Sequence, residues 1–291
     1  MLDILQRFIF DGTDIRGQWV SLDDEYQRLL RHSSRADFAT ALLGEFLAAS
    51  VLLSATLKFK GRLVLQAKSD GLVPLIMAEC DSKMNYRGII KTTEECLRSE
   101  PPGFTQMLEK GTLAITIEPD KGERYQGIVP IQGSRLSSCI EHYFYQSEQL
   151  NTRLFLVASA QRARGLLLQQ LPAQIVIDPE ERDAQWQHLS FLAETLKPEE
   201  LLELPCVDLL YRLYHQDDLR LLEQKSARFL CACNRQRVAS MLLSLGREAL
   251  DSILEDEGKI EVDCEFCHQQ YCFLHGDVAA LFGEDASGTV H

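Results

Sequence analysis

Two cysteine pairs stand in the C-terminal quarter of the chain. In "FLCACNRQRV" Cys231 and Cys233 are one residue apart, and in "DCEFCH" Cys264 and Cys267 are two residues apart. Thirty residues lie between Cys233 and Cys264. A C-x-C and a C-x-x-C half at such a separation can close four thiolates around one tetrahedral zinc ion. "KIEVDCEFCHQQYCFL" reads as a hairpin whose tip carries Cys264 and Cys267, the usual knuckle of such sites. Four sulfur ligands leave no coordination position for water, which excludes the hydrolytic chemistry of three-ligand zinc sites. The segment after Cys231 has little apolar mass, so metal binding there would be folding energy, roughly 10–16 kcal/mol in zinc-finger peptides. The spacing fits a structural knuckle, a redox switch and, less well, a thioredoxin-like enzyme, whose C-x-x-C should open a helix after a strand. The C-x-C half favours the switch, because a disulfide closed over one intervening residue is tight, strained and easily reduced again.

Composition narrows the setting. The chain has 291 residues, 45% hydrophobic and 25% charged, enough for two domains and a sizeable core. A net charge of −13 argues against duplex nucleic acid as the main partner, and so against a zinc-ribbon nucleic-acid binder. "MLDILQRFIFDGTD" has no basic stretch leading into an apolar run, so no signal peptide is expected. "FLAASVLLSATL" is too short to span a bilayer, which takes about 20 residues, and continues the period of a buried helix. These features point to a cytoplasmic protein without a membrane partner. In a reducing cytosol, paired cysteines more often mean metal or redox chemistry than structural disulfides.

The periodicity predicts an α+β fold. A short helix is expected over Ser21–Arg31, with Ser21 and Asp24 as a capping box, and a longer one over Arg35–Phe59. The period then changes to two. "RLVLQAK" and "LVPLIMAE" flank a turn at Ser69-Asp70-Gly71, "RGIIKT" follows, and "TLAITIE" and "ERYQGIVPIQ" form a hairpin around Pro119-Asp120-Lys121-Gly122. A helix from Ser137 to Leu150 and two strands, "RLFLVASA" and "GLLLQQL", complete a mixed domain of residues 1–177. Hairpins dominate and no regular βαβ alternation occurs, which disfavours a doubly wound sheet.

Residues 178–230 read as a helical, amphipathic linker cut by Pro179, Pro198 and Pro205, with 12 acidic against six basic residues over 178–229. Trp186, Leu189, Leu192 and Leu196 share one face; Val207, Leu210 and Leu213 share another with Tyr214. Helices this short need a surface to lie on. Residues 231–291 form the third segment: the first cysteine pair, helices from about Arg235 to Leu245 and from Arg247 to Leu254, a turn at Gly258, and the hairpin.

"SATLKFKG" (54–61), "GERYQGIV" (122–129), "YQSEQLNTRLFL" (145–156), "LLELPCVDLLYRLYH" (201–215), "CAC" (231–233) and "CEFC" (264–267) follow one another in an order that resembles the bacterial redox-regulated heat-shock holdase, a 33-kDa chaperone family with a zinc–thiolate switch. The likeness runs over nearly the whole chain. It implies zinc ligands at Cys231, Cys233, Cys264 and Cys267, one zinc per chain, and an idle reduced state. Oxidation would form disulfides Cys231–Cys233 and Cys264–Cys267, release zinc, unfold the 231–291 region and loosen the linker. Unfolding client proteins would then be held without ATP by a homodimer. The linker's apolar faces, with Trp186, Leu189, Leu192, Leu196, Leu210 and Leu213, are the candidate client surface, since exposed apolar patches of this kind are interaction sites. A zinc-containing thiol–disulfide oxidoreductase or redox sensor working through Cys264 and Cys267 is the alternative.

The remaining cysteines carry less. Cys139 is expected to be a buried free thiol, and Cys80, Cys96 and Cys206 packing residues. His268, Cys272 and His275 lie close enough to Cys267 to compete as ligands or partners but are read as bystanders. "KGERYQGIV" (121–129) reads as a charged surface strand, and no phosphate-cradling loop or catalytic triad pattern supports ATP-driven folding or an enzymatic reading.

Overall fold

The computed structural model describes residues 3–31, 36–57, 60–97 and 101–283. Contacts divide the chain into two compact units, Met1–Leu230 and Cys231–His291. The segment expected as a linker, 178–230, lies within the first unit.

In that unit the chain runs β1 (Ile4–Phe10), β2 (Ile15–Leu22), α1 (Asp24–Leu30), α2 (Asp37–Ser54), β3 (Gly61–Lys68), β4 (Leu75–Asp81), β5 (Asn85–Lys91), α3 (Phe104–Met107), β6 (Thr112–Pro119), β7 (Tyr125–Pro130), α4 (Leu136–Tyr143), β8 (Thr152–Ala158) and β9 (Ala163–Gln170). It continues through α5 (Pro179–Glu194), α6 (Pro198–Glu203), α7 (Cys206–Tyr214), β10 (Leu219–Leu221), β11 (Lys225–Ser226) and β12 (Arg228–Phe229). One sheet has the order β10-β1-β2-β9-β8, with β11 also on β1; the other has the order β12-β5-β4-β3-β6-β7. All pairings are antiparallel except β12 with β5.

Helix α2 packs against strands of both sheets and is buried nearly all round. Its 18 residues are long and apolar enough to cross a membrane by length and composition, but 78% of that window is buried inside the protein. The first sheet is covered on both faces. Leu5, Val20, Leu22 and Leu167 join the α2 core. Phe8, Phe10, Ile15, Trp19, Leu166 and Leu168 point the other way, into a second core under α5, α6 and α7. The alternation of Leu166, Leu167 and Leu168 between the two cores is the period of a strand. Gly17 stands opposite Phe8, whose ring would lie 2.0 Å from any Cβ there.

Several expected elements are corrected. Ser21 belongs to β2; α1 begins at Asp24, and Ser21 Oγ donates to Asp23 Oδ2 instead of capping a helix. The helix expected over Arg35–Phe59 spans Asp37–Ser54; Arg35, Lys58 and Phe59 lie outside the described residues. The helix expected to reach Leu150 ends as α4 at Tyr143, followed by a single π-turn over Phe144–Glu148. The 178–230 segment is helical only to Tyr214, after which it adds β10, β11 and β12 to the edges of the two sheets.

The second unit contains α8 (Arg235–Leu245), α9 (Arg247–Glu257), β13 (Ile260–Asp263), β14 (Gln270–Phe273) and α10 (His275–Leu281), the last not expected from the sequence. Gly258, at φ +73°, takes the left-handed conformation that ends α9 and turns the chain into β13. The buried core here is Ala239, Leu242, Leu250, Leu254, Ile260, Phe273 and Val278.

Candidate metal centre

Cys231 and Cys233 flank Ala232 just before α8. Asn234 caps that helix, its Oδ1 accepting from Arg237 N at 2.9 Å. The Arg237 guanidinium reaches back and donates to the Ala232 carbonyl at 2.8 Å, which fixes the loop between the two sulfurs. Cys264 and Cys267 sit in the tip joining β13 to β14. Cys264 N donates to Gln269 O at 3.0 Å, and His268 N donates to Cys264 O at 2.7 Å. His268 takes φ +56°, a left-handed conformation in which histidine is enriched among non-glycine residues.

The four Sγ atoms lie within 4.8 Å of one another, and all four residues are half-buried. A tetrahedral ion with metal–sulfur bonds of ~2.3 Å has a sulfur–sulfur edge of ~3.8 Å. The observed approaches Cys231–Cys264 (3.6 Å) and Cys233–Cys267 (3.3 Å) bracket that edge from below, and 4.8 Å bounds it from above. Both of these short approaches cross between the two sequence pairs.

The thiols disagree about ionisation. Burial pushes the pKa of Cys231 up and that of Cys267 up further. Burial acts on Cys233 too, but hydrogen bonds from the Tyr271 hydroxyl (3.2 Å) and the neighbouring thiols outweigh it and lower its pKa. The same contact to Cys233 raises Tyr271 to about 12. One sulfur thus readily holds negative charge while two resist it. A divalent cation removes the conflict by favouring the thiolate at every ligand. Among the described residues this is the one cluster of His, Cys, Asp and Glu able to hold a metal. His268, Cys272 and His275 are not in it. The residues present therefore fit a metal ion through four sulfur donors.

Arg237 and Tyr271 were not among the residues singled out from sequence. Tyr271 had a signal: period-two alternation along β14 puts it on the same face as buried Phe273. Arg237 had none, because a helical arginine normally faces solvent. Elsewhere, Cys80, Cys96, Cys139 and Cys206 are buried, and burial raises all four thiols, Cys206 to about 12. Cys139 Sγ also donates to Gln132 O at 3.1 Å. Trp186, Leu189, Leu210 and Leu213 are buried in the second core, and Leu192 and Leu196 are half-buried at its rim.

The sequence model of the Hsp33 protein family matches residues 3–274. The chain belongs to this family. A 33 kDa chaperonin of Pseudomonas aeruginosa strain LESB58 is 48% identical over 281 residues, covering 96% of this chain and 94% of that one. The 33 kDa chaperonin of Pseudomonas syringae pv. syringae is 49% identical over 282 residues, with 97% and 94% covered. The crystal structure of the Thermotoga maritima 33 kDa chaperonin, an Hsp33 homologue, aligns with a TM-score of 0.81 over 97% of this chain and 98% of that one, at 20% identity, and so shares the fold. Hsp33 membership agrees with the α+β architecture and the C-terminal cysteine cluster, and places the chain in a family of chaperones.

Proposed function

We propose that this chain is a redox-regulated, ATP-independent holdase of the cytoplasm that binds unfolding proteins and prevents their aggregation under oxidative and heat stress. The observation that carries the reading is the convergence of four half-buried sulfurs in a unit whose core, among the described residues, is small, with seven buried side chains. In the reduced state Cys231, Cys233, Cys264 and Cys267 would hold one zinc ion per chain. When bound, that ion keeps all four sulfurs as thiolates and ties the loop before α8 to the β13–β14 tip.

Oxidation pairs Cys231 with Cys233 and Cys264 with Cys267. Forming each disulfide removes two electrons from two thiolates; hypochlorous acid accepts them and becomes chloride and hydroxide, or hydrogen peroxide accepts them and becomes two hydroxides. With both disulfides formed, no thiolate remains to bind metal, and residues 231–291 lose that share of their folding energy. The 178–230 segment then loosens and presents Trp186, Leu189, Leu192, Leu196, Leu210 and Leu213 to clients, with two chains acting as a dimer. Two features support this step. These side chains already form one continuous apolar layer. A net charge of −13 keeps a protein with such a layer exposed in solution. The oxidoreductase reading is less favoured, since the turn at 264–267 leads back into β14 and not into the helix whose N-terminus activates a redox thiol.

The test follows zinc release, thiol count and suppression of client aggregation together during oxidation. One zinc, four thiols lost and activity at near one-to-one ratios are expected. Turnover of partner disulfides would replace this reading with the enzymatic one. Peptide mapping checks the pairing, which needs the sulfurs to rearrange from their crosswise approach; a Cys231–Cys264 bond would overturn it. Cys264→Ser removes one ligand and should cost zinc affinity and raise activity without oxidant. Full zinc affinity with an idle protein would show that the ligands are misassigned.

A further inference from the structure

Helix α2 carries a single charged side chain between Phe38 and Ser54, Glu45. Its neighbours Gly44 and Phe46 are buried in the core, and Glu45 itself lines a cavity of about 230 Å³. Leu154, Phe155 and Leu156 of β8 line it beside Glu45. Its far wall is the end of α5 and the start of α6, through Glu194, Lys197 and Leu201. The carboxyl group therefore faces the stretch where the 178–230 segment lies down on the sheets. The charged groups around the cavity, among the described residues, are Arg135 at the start of α4, Glu194 at the end of α5 and Lys197 before α6. Arg153 on β8 is engaged by Glu194 at 3.2 Å and by Glu141 at 3.9 Å.

We propose that Glu45 couples docking of the α5–α6 turn to proton uptake, so that acid holds this segment down and alkali loosens it. Glu194, Leu196, Lys197, Pro198 and Leu201 of the turn make up one side of the cavity, so lifting the turn opens that side to water. Lifting the turn hydrates the carboxyl and lets it ionise without the cost of burial. Docking and protonation then favour each other reciprocally. Burial, opposed in part by Arg135, raises the Glu45 pKa to about 7, which places the effect near neutrality. The sign follows from a carboxyl raised in the docked state: its contribution is complete below the ordinary glutamate value, is lost as pH climbs toward about 7, and levels off above that. Metal binding and thiol oxidation take no part in this linkage, so it stands or falls apart from the proposed function.

The experiment is peptide-resolved hydrogen exchange on the full-length, reduced protein, corrected for intrinsic rates, with the readout at 195–204. Between about pH 6 and about pH 8, protection in this stretch should fall by up to about tenfold if lifting restores an ordinary carboxyl. Glu45→Gln should remove the pH dependence while β3–β4 protection stays unchanged. Protection at 195–204 that does not vary with pH, or that varies equally in Glu45→Gln, overturns the proposal. Should Glu45→Gln fold poorly, the wild-type protein decides: carboxyl-labelled NMR should show Glu45 titrating near neutrality, and titration in the ordinary carboxylate range overturns it. Arg135→Gln provides an independent check, since losing the opposing cation should move that titration to higher pH.

Discussion

Asp14 shows how much one side chain can hold. It is 7% exposed at the start of β2, and its carboxylate accepts from the backbone N–H groups of Gln174, Ile175 and Val176 at 3.0–3.2 Å. Arg182 of α5 donates to it at 2.6 Å and to the Leu171 carbonyl at 2.7 Å. The segment leading into α5 is thus pinned to the β1–β2 turn. Burial would raise the Asp14 pKa, but the three N–H donors and Arg182 reverse this and hold it below the ordinary carboxylate value. For a depressed carboxylate, the stabilisation is present above the unfolded-state value and is lost as pH falls through the folded one. Asp14 should therefore loosen its grip only below about pH 4. Asp14→Ala should cost about 1–3 kcal/mol at neutral pH, because the N–H groups of Gln174, Ile175 and Val176 lose their acceptor and half-buried Arg182 keeps only the Leu171 and Val176 carbonyls. Urea unfolding and hydrogen exchange at 174–183 would show it, and an unchanged midpoint would mean the contact carries no weight. Nothing in the sequence pointed to Asp14, whose partners lie about 160 residues away. The clustering of the four cysteines was legible because their paired spacing restricts how they can meet, whatever the rest of the chain does.

Among the elements, legibility followed how each one is buried. The hairpins β3–β4 and β6–β7 could be read because side chains alternate between a packed and a wetter face. β1 and β2 lie between two cores, so their apolar residues run together and blur the period of two, whereas β9, which lies there too, was still legible as "GLLLQQL". β10, β11 and β12 are two or three residues long and exist because β1 and β5 offer edges to pair with. Helices α5 to α7 were legible through their prolines and apolar faces, and their packing predicts graded effects. Leu189 is fully inside the second core, so Leu189→Ala should cost about 2–5 kcal/mol. Leu192 is at the rim, so Leu192→Asp loses only part of the ~1.5–3 kcal/mol of a buried leucine but places a charge against the layer. Exchange across 179–214 should rise in both variants, more in the first, while the amides near Cys264 stay slow in zinc-loaded protein. A segment equally protected in both variants would show that α5–α7 stay down without these contacts.

For the whole molecule, the sequence suggested three segments, whereas contacts give two compact units: α5 to α7 pack on the first sheet, and β10 to β12 pair with the edges of β1 and β5. That pairing is set by tertiary geometry and leaves no local signal. The second unit, Cys231–His291, is about the size at which a single core becomes marginal, since a 60-residue domain buries only ≈ 60% of its unfolded surface. Among the described residues seven buried side chains form that core, and the cysteine cluster brings its first loop and its hairpin tip together. Its stability should therefore come largely from the metal. Chelation in reducing buffer should abolish amide protection in β13, β14 and α8, with loss of helix signal, while β2, β3 and β9 of the first unit keep theirs. Acid should act in the same direction. Cys231 and Cys267 have raised pKa values without metal, so protons compete for those sulfurs and metal affinity falls steeply as pH drops. Peptide-resolved exchange with zinc analysis, before and after chelator, separates the outcomes. A metal-free protein that still protects the β13–β14 ladder would show that the apolar core suffices by itself, and oxidation of the cysteines could not then unfold the unit by taking the metal away.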